Sequence, residues 1–281
     1  MKRRKFIQCD VFSPIPTKGN ALAVVLDGSG LTDEQMRTFA AWTNLAETTF
    51  IFPPSIDEAD YKLRIFTPTR EMLFAGHPTL GSCSAWLHTG GVPKHDGVVR
   101  QECGVGIVEI DLTGNVPAFI APPTRIKALP ESDKNSIAHA LGIDPNSIED
   151  SAVLENGPTW HVLALSSAKD VLSADASGVR WPDFTPVGLI GPHPQDAECQ
   201  YEVRMLAPSS GMTEDPITGS LNSAIFHWLQ AEGKLHSDTL VAQGTMINRT
   251  GRVFIRPHRK RLGEILVGGH THIIVEGHVY L

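Results

Sequence analysis

The sequence predicts a mixed α and β protein that consists of two similar lobes. Strand and helix patterns alternate along the 281 residues, and a strand–loop–helix passage near residue 61 returns near residue 201. A proline-rich stretch of low periodicity lies between the two copies. With 41% hydrophobic and 20% charged residues, the composition is that of a globular protein. The length suits one large domain or two medium ones.

The first half of the chain alternates between strand and helix patterns. Residues 31–45 predict a helix, because Thr32 can cap its start and acidic residues fill the first turn. Residues 61–69 alternate in the way that a half-buried strand requires. The other patterns predict strands at 5–12, 21–27 and 47–54, a helix at 77–91 and a hairpin at 97–112.

A boundary is predicted within residues 114–130, which contain four prolines. We therefore expect a first lobe at 1–118, which a C-terminal strand from about 270–281 can join, and a second lobe at 119–281. In the second lobe the patterns predict a helix at 132–142, strands at 160–166 and 200–208, a helix beginning near 219 and several strands after 240.

The second lobe repeats part of the first. Tyr61, Arg64, Pro68 and Met72 match Tyr201, Arg204, Pro208 and Met212 at a constant shift of 140. Each stretch then reaches a glycine that opens a helix, Gly76 and Gly219, at a shift of 143. The second copy therefore carries three more residues, which the sequence places in "EDP". Chance similarity is the alternative, and the parallel order of elements favours duplication.

A duplication predicts where a ligand binds. Two similar lobes that face each other form a cleft, and small-molecule sites favour such junctions. Each lobe would present a helix N-terminus, which offers unpaired N–H groups and a partial positive charge. The two helix starts then form a cradle for a carboxylate or an enolate oxygen.

Three side chains near these helix starts are candidates for acid–base chemistry. Asp215 places a carboxylate on the segment that enters the second helix, although an Asp here is often only a cap. His77 stands at the first helix start, where we expect a neutral imidazole suited to proton exchange near neutral pH; a structural histidine is the alternative. Glu47, between a helix and a strand, is a candidate general base if it lines the cleft, and an exposed turn residue otherwise.

Other classes of function are disfavoured. A net charge of −7 argues against a broad nucleic-acid surface, and no apolar run is long enough for a membrane span or a signal peptide. The four cysteines form no CxxC pair, so we expect free thiols. His270 and His272, with His278 nearby, are a weak zinc candidate, because surface polar alternation explains them better. There is no P-loop, complete dinucleotide fingerprint or GxSxG elbow.

Three motifs together resemble the phenazine-biosynthesis PhzF family: "NLAETTF", "FAGHPTLGS" and "DPITGSLNSA". The resemblance covers nearly the whole chain and implies a diaminopimelate-epimerase-like fold. That fold is α+β, with two pseudo-symmetric lobes, each a strongly curved, mostly antiparallel, barrel-like sheet around a central helix. The resemblance also implies a homodimer and no metal or organic cofactor.

Residue by residue, the resemblance implies catalytic roles for Glu47, His77 and Asp215. It assigns substrate binding to Gly76, Gly219, Ser220 and Asn20. Cysteine-dependent epimerases of this fold carry a thiol before each helix-starting glycine, where this chain has Ala75 and Thr218. A two-thiol mechanism is therefore disfavoured, and a proton shift driven by a carboxylate is expected.

The sequence therefore predicts a cytoplasmic, cofactor-independent isomerase that moves a proton on a small carboxylate-bearing substrate. A thiol-independent epimerase or racemase of amino or hydroxy acids is one alternative. A catalytically silent carboxylate-binding protein is the second, and a zinc hydrolase that uses His270 and His272 is the third.

Overall fold

A computed structural model describes residues 1–208, 212–235 and 237–281. The chain forms two compact units. Unit 1 comprises Met1–Ile120 together with Gly268–Leu281, and unit 2 comprises Ala121–Val267. Both units combine sheet and helix, so the predicted α+β class with two similar lobes is confirmed. Within the described ranges, no helix is long and apolar enough to cross a membrane.

Five α-helices are described, in chain order α1 (Asp33–Thr43), α2 (Gly76–His88), α3 (Glu131–Leu141), α4 (Ala168–Ser173) and α5 (Gly219–Ala231). The strands are β1 (Arg3–Val11), β2 (Asn20–Val25), β3 (Glu47–Phe52), β4 (Tyr61–Phe66), β5 (Glu71–Met72), β6 (Val98–Cys103), β7 (Gly106–Asp111), β8 (Ala118–Ile120), β9 (Arg125–Ala128), β10 (Ile148–Glu155), β11 (Thr159–Leu165), β12 (Val187–Pro192), β13 (Tyr201–Leu206), β14 (Glu214–Asp215), β15 (Thr239–Gln243), β16 (Gly251–Pro257), β17 (Ile265–Gly268) and β18 (Thr271–Tyr280).

Helix α1 forms where the sequence predicts it. The Thr32 hydroxyl accepts the N–H of Gln35, and the Gln35 side chain accepts the N–H of Thr32, which makes a capping box. Two acidic residues in the first turn complement the positive end of the helix. The helix ends at Asn44, which takes the left-handed conformation.

In unit 1 the strands follow the order β18, β1, β2, β3, β4, β6, β7, β8. The β2–β3 and β4–β6 pairs are parallel, and the other pairs are antiparallel. Helix α2 contacts strands from β18 at one end to β8 at the other, so the sheet curves around it. Nine of its 13 residues are buried. A side chain at Gly81 would come within 2.5 Å of Leu22, which shows how closely the helix approaches β2.

Unit 2 repeats this arrangement. Its β10–β11, β12–β13 and β15–β16 pairs are antiparallel, and its β11–β12 and β13–β15 pairs are parallel. This succession matches β1–β2–β3–β4–β6–β7 pair by pair. Helix α5 corresponds to α2, has the same length of 13 residues and buries ten of them. The burial of ten residues places α5 inside the core of unit 2.

The strand registers support the duplication. In β4 and β6 Tyr61 lies opposite Gln101, and in β13 and β15 Tyr201 lies opposite Val241, which preserves the shift of 140 on both strands. Chance similarity between two strand–helix passages does not explain a shared register together with a shared pairing order.

The prediction that the three additional residues of the second copy are "EDP" is wrong. Ile65 pairs with Met72 in the first copy, and Met205 pairs with Asp215 in the second. Asp215 is therefore the counterpart of Met72. The additional length falls within 207–213, between β13 and β14, and residues 209–211 of that segment lie outside the described residues.

Candidate active site

Glu47 is the first residue of β3, immediately after the short connection from α1. It lies opposite Leu22 in the parallel β2–β3 pair, and its side chain is 17% exposed. The carboxylate is therefore neither an exposed turn residue nor fully enclosed. A general base needs this combination of restricted solvent and an open approach.

His77 is the second residue of α2 and is 4% exposed. Its Nε2 atom lies 3.2 Å from Oε2 of Glu47, and its Nδ1 atom lies 3.3 Å from Nδ2 of Asn20. The structure thus brings together three of the four site residues predicted for the first lobe, and the fourth, Gly76, directly precedes His77 in α2. The approach of Nε2 to Oε2 lacks the alignment of a full hydrogen bond.

The contact with Asn20 fixes the proton on the His77 ring. An amide nitrogen only donates, so Nδ1 of His77 accepts and the neutral ring carries its proton on Nε2, next to Glu47. Burial lowers the pKa of His77 to about 3. Burial therefore keeps the ring neutral at pH 7, as predicted, with its Nε2–H as a hydrogen-bond donor. That His77 exchanges protons during turnover stays a prediction.

Asn20 owes its position to the turn that precedes β2. It is 2% exposed and lies opposite Val11 at the end of β1. Just before it, the Gly19 N–H donates to Oδ2 of Asp10 at 2.8 Å. A side chain at Gly19 would fall 2.2 Å from the Val11 carbonyl oxygen, so this position requires glycine. No sequence pattern predicts that buried Asp10 supports the site.

Helix α2 begins without a side-chain cap. Ala75 is the N-cap residue, and the first bond into the helix runs from the Thr79 N–H to the Ala75 carbonyl at 3.2 Å. The N–H groups of Gly76 and His77 precede that bond, and Pro78 has none to offer. The start of α2 therefore presents two N–H groups and the positive end of the helix dipole beside His77.

Asp215 forms the second candidate cluster, in unit 2. It is the last residue of β14, it pairs with Met205, and it is 8% exposed. The Thr218 hydroxyl donates a short hydrogen bond to its Oδ2 atom. Asp215 therefore lies on a strand and does not cap helix α5.

At the start of α5, more backbone N–H groups precede the first intrahelical hydrogen bond than at the start of α2. Its first intrahelical bond joins the Asn222 N–H to the Thr218 carbonyl at 3.0 Å, so the N–H groups of Gly219, Ser220 and Leu221 precede it. Ser220 is 7% exposed. The Ser220 carbonyl accepts a hydrogen bond from Nδ2 of Asn156 at 2.8 Å. This bond connects the start of the helix to the β10–β11 hairpin.

The other candidate groups do not form a second site. The His272 Nε2 atom lies 2.9 Å from the Ser13 carbonyl oxygen, and His278 lies beside Arg3. Within the described part of the chain, no group of three or more His, Cys, Asp or Glu side chains is arranged to hold a metal ion. The four cysteines are free, as predicted. Burial raises the pKa of Cys9 and of Cys83 to about 12, so both are protonated thiols at pH 7.

Comparison with known proteins identifies the family. The PhzC-PhzF family, described as phenazine biosynthesis-like protein, matches residues 9–277. The chain belongs to this family. It is 32% identical to Antisense-enhancing sequence 1 of Schizosaccharomyces pombe, with 100% of both chains covered. It is 28% identical to trans-2,3-dihydro-3-hydroxyanthranilate isomerase of Pseudomonas aeruginosa, with 99% of both covered.

A solved structure supports the fold of this PhzC-PhzF member. The Bacillus anthracis phenazine biosynthesis protein of the PhzF family superposes with a TM-score of 0.83 at 23% identity, over 100% of both chains. At that identity the likeness establishes the fold alone. The family match and the relatives together make the chain an enzyme of the isomerase class, which confirms the predicted class.

Proposed function

We propose that the chain is a cofactor-independent isomerase that moves a proton on a small carboxylate-bearing substrate, with Glu47 as the general base. The observation that carries this proposal is the Glu47–His77 pair. A partly exposed carboxylate lies 3.2 Å from a buried, neutral imidazole at a helix start. Such a carboxylate can remove a proton from a carbon next to a carbonyl group or a double bond.

His77 and the N–H groups at the start of α2 would stabilise the charge that develops when the proton leaves. The Nε2–H of His77 is a neutral donor, and the N–H of Gly76 lies at the positive end of the helix. Because burial keeps His77 neutral, we propose that Glu47 itself, once protonated, returns the proton at the second carbon. Asn20 then acts by holding the ring in the required tautomer.

In unit 2, Gly219 and Ser220 are proposed to bind the substrate carboxylate through the free N–H groups of α5. We propose that the Asp215 carboxylate accepts a hydrogen bond from an N–H or O–H group of the substrate. That these residues and Glu47 act on one substrate molecule remains a prediction. Replacement of Ser220 by Pro, which removes one N–H group, would test it by raising KM in the assay below.

The experiment is proton exchange in D₂O. Wild type and Glu47→Gln are each incubated with trans-2,3-dihydro-3-hydroxyanthranilate, the substrate in the name of the Pseudomonas relative, and with a panel of small unsaturated and keto acids. NMR then follows deuterium uptake and double-bond position. We expect deuterium uptake with movement of the double bond for wild type and neither for Glu47→Gln. Retained turnover in Glu47→Gln would remove Glu47 from the base role.

The same experiment separates the alternatives. An epimerase would place deuterium at the α-carbon with inversion and without double-bond movement. A silent carboxylate-binding protein would bind members of the panel without exchange. The homodimer and the cytoplasmic location also remain proposals. A molar mass by light scattering of twice the 30.5 kDa chain mass would support the dimer.

A further inference from the structure

Gln243 ends strand β15 and is fully buried beneath the start of α5. We propose that Gln243 is a positioning residue, which forces the Thr218 hydroxyl to donate its proton to the Asp215 carboxylate. This inference rests on the proposed function only in its last step, the link from Asp215 to turnover. The hydrogen-bond network itself is independent of the substrate.

The orientation of the Gln243 amide is fixed by its neighbours. Its Oε1 atom accepts the Thr218 backbone N–H at 3.0 Å and Nδ2 of Asn222 at 2.8 Å. A backbone N–H can only donate, so the oxygen of the amide must face it. The NH₂ group therefore faces the other way, 3.1 Å from the Thr218 Oγ1 atom and 3.4 Å from the Asp215 carbonyl oxygen.

This orientation determines the role of the Thr218 hydroxyl. The hydroxyl oxygen accepts a hydrogen bond from the Gln243 amide, and the hydroxyl has one proton of its own to donate. That proton points to Oδ2 of Asp215. The network therefore runs in one direction, from the Gln243 amide through the hydroxyl to the carboxylate. A donor of this kind favours the ionised form of the acid and fixes its rotamer.

Helix α5 lacks the usual side-chain N-cap hydrogen bond. Thr218 is the N-cap residue of α5, a position where a threonine hydroxyl usually accepts an N–H of the first turn. Here the hydroxyl forms no such bond. Its use on Asp215 is the specific feature that generic helix stabilisation does not explain.

Unit 1 contains a matched arrangement without the carboxylate. Gln101 in β6 is also fully buried, and its Nε2 atom donates to the Thr79 Oγ1 atom at 3.1 Å. The Thr79 hydroxyl, however, donates to the Ala75 carbonyl at 2.9 Å, within its own helix. Gln101 therefore provides a control for the cost of altering a buried glutamine below a helix start.

The first test is structural. Gln243→Glu keeps the shape and the acceptor oxygen but replaces the NH₂ donor by a second acceptor. Crystal structures should show the Thr218 hydroxyl turned to the new carboxylate and its bond to Asp215 broken. Thr218→Val, which leaves Gln243 untouched, should let the Asp215 carboxylate leave its wild-type rotamer. If the Thr218–Asp215 bond persists in the first variant, or the rotamer persists in the second, the inference is wrong.

The second test uses deuterium uptake by the substrate that wild type turns over. We expect Gln243→Glu and Thr218→Val each to lose about 10²-fold in kcat, as misplaced catalytic groups do. The double variant should be no slower than Thr218→Val alone, and Thr218→Ser should retain activity. Gln101→Glu should lose comparable thermal stability but stay within a few-fold of wild-type turnover. Additive losses, or an equal loss in Gln101→Glu, would overturn the positioning role.

The two tests fail separately. If wild type exchanges no proton with any compound, the proposed function fails, and the crystal structures still decide whether Gln243 directs the hydroxyl. If the structures change as expected while turnover stays at the wild-type rate, the network exists but Asp215 has no catalytic part, and the positioning role is refuted.

Discussion

Two arginine–glutamate pairs occupy equivalent places in the two units and differ in burial. In unit 2, Nη2 of Arg204 lies 2.8 Å from Oε2 of Glu214, and both side chains are 2% exposed. Arg204 also donates to the carbonyls of Val171 and Ala174. In unit 1, Arg64 and Glu71 are 2.6 Å apart with 24% and 40% of their side chains exposed. The two units therefore allow a buried and an exposed arginine–glutamate pair to be compared at equivalent positions.

Substitution of each arginine by methionine should have very different effects. Arg204→Met leaves the Glu214 carboxylate buried without its cation, which costs about 3–5 kcal/mol. Arg64→Met removes two exposed ion pairs, to Glu71 and to Asp33, each worth about 0–1 kcal/mol. At about 2–4 °C per kcal/mol, the melting temperature should fall by about 6–20 °C for Arg204→Met and by at most about 8 °C for Arg64→Met.

Differential scanning calorimetry of the two variants, side by side, measures both shifts. Arg204→Met combined with Glu214→Leu replaces the pair by apolar groups and should recover most of the lost stability. Equal shifts for the two single variants would refute the reasoning that burial decides the cost. A double variant no more stable than Arg204→Met would refute the role of the stranded carboxylate.

Three further predictions concern the first unit. The pKa of His77 is about 3, below the value of about 6.5 in an unfolded chain, so the unfolded state binds the proton first. Relative to His77→Gln, wild type should therefore lose about 1.4 kcal/mol of stability per pH unit as pH falls from about 6.5; parallel urea-unfolding profiles at pH 7 and 5 would contradict this. Asn20→Asp replaces the amide donor by an acceptor, so ¹⁵N NMR should show the His77 proton moved to Nδ1 and exchange slowed about 10²-fold; an unchanged tautomer speaks against the assignment. Cys9 and Cys83, whose pKa values burial raises to about 12, should resist iodoacetamide at pH 8 in the native protein, and labelling of either by mass spectrometry would disprove this.

Much of the fold could be predicted from local patterns. The capping box at Thr32, the alternation in β4 and the hairpin of β6 and β7 are encoded by neighbouring residues. Two of the missed strands lack such patterns. All four residues of β9 are exposed, so no apolar alternation reveals the strand, and β14 has only two residues. Neither strand can be identified from its own sequence.

In the candidate site, too, some features could be predicted from sequence and others could not. The predicted neighbours Glu47, His77 and Asn20 do meet in unit 1. What local sequence could not reveal depends on packing. The burial that lowers the pKa of His77 to about 3 follows from packing, and Gln243 reaches Thr218 from 25 residues away in the chain. The position of the insertion also became clear only from the pairing of Met205 with Asp215.

We propose above that the Glu47 carboxylate removes a carbon-bound proton. The most direct measurement is the first-order rate at which a substrate labelled with deuterium at the reacting carbon loses that label to H₂O, in wild type and in Glu47→Gln at saturating substrate. We expect the rate to fall on the order of 10²–10⁴-fold in Glu47→Gln, with an unchanged melting temperature. A rate within tenfold of wild type would contradict it.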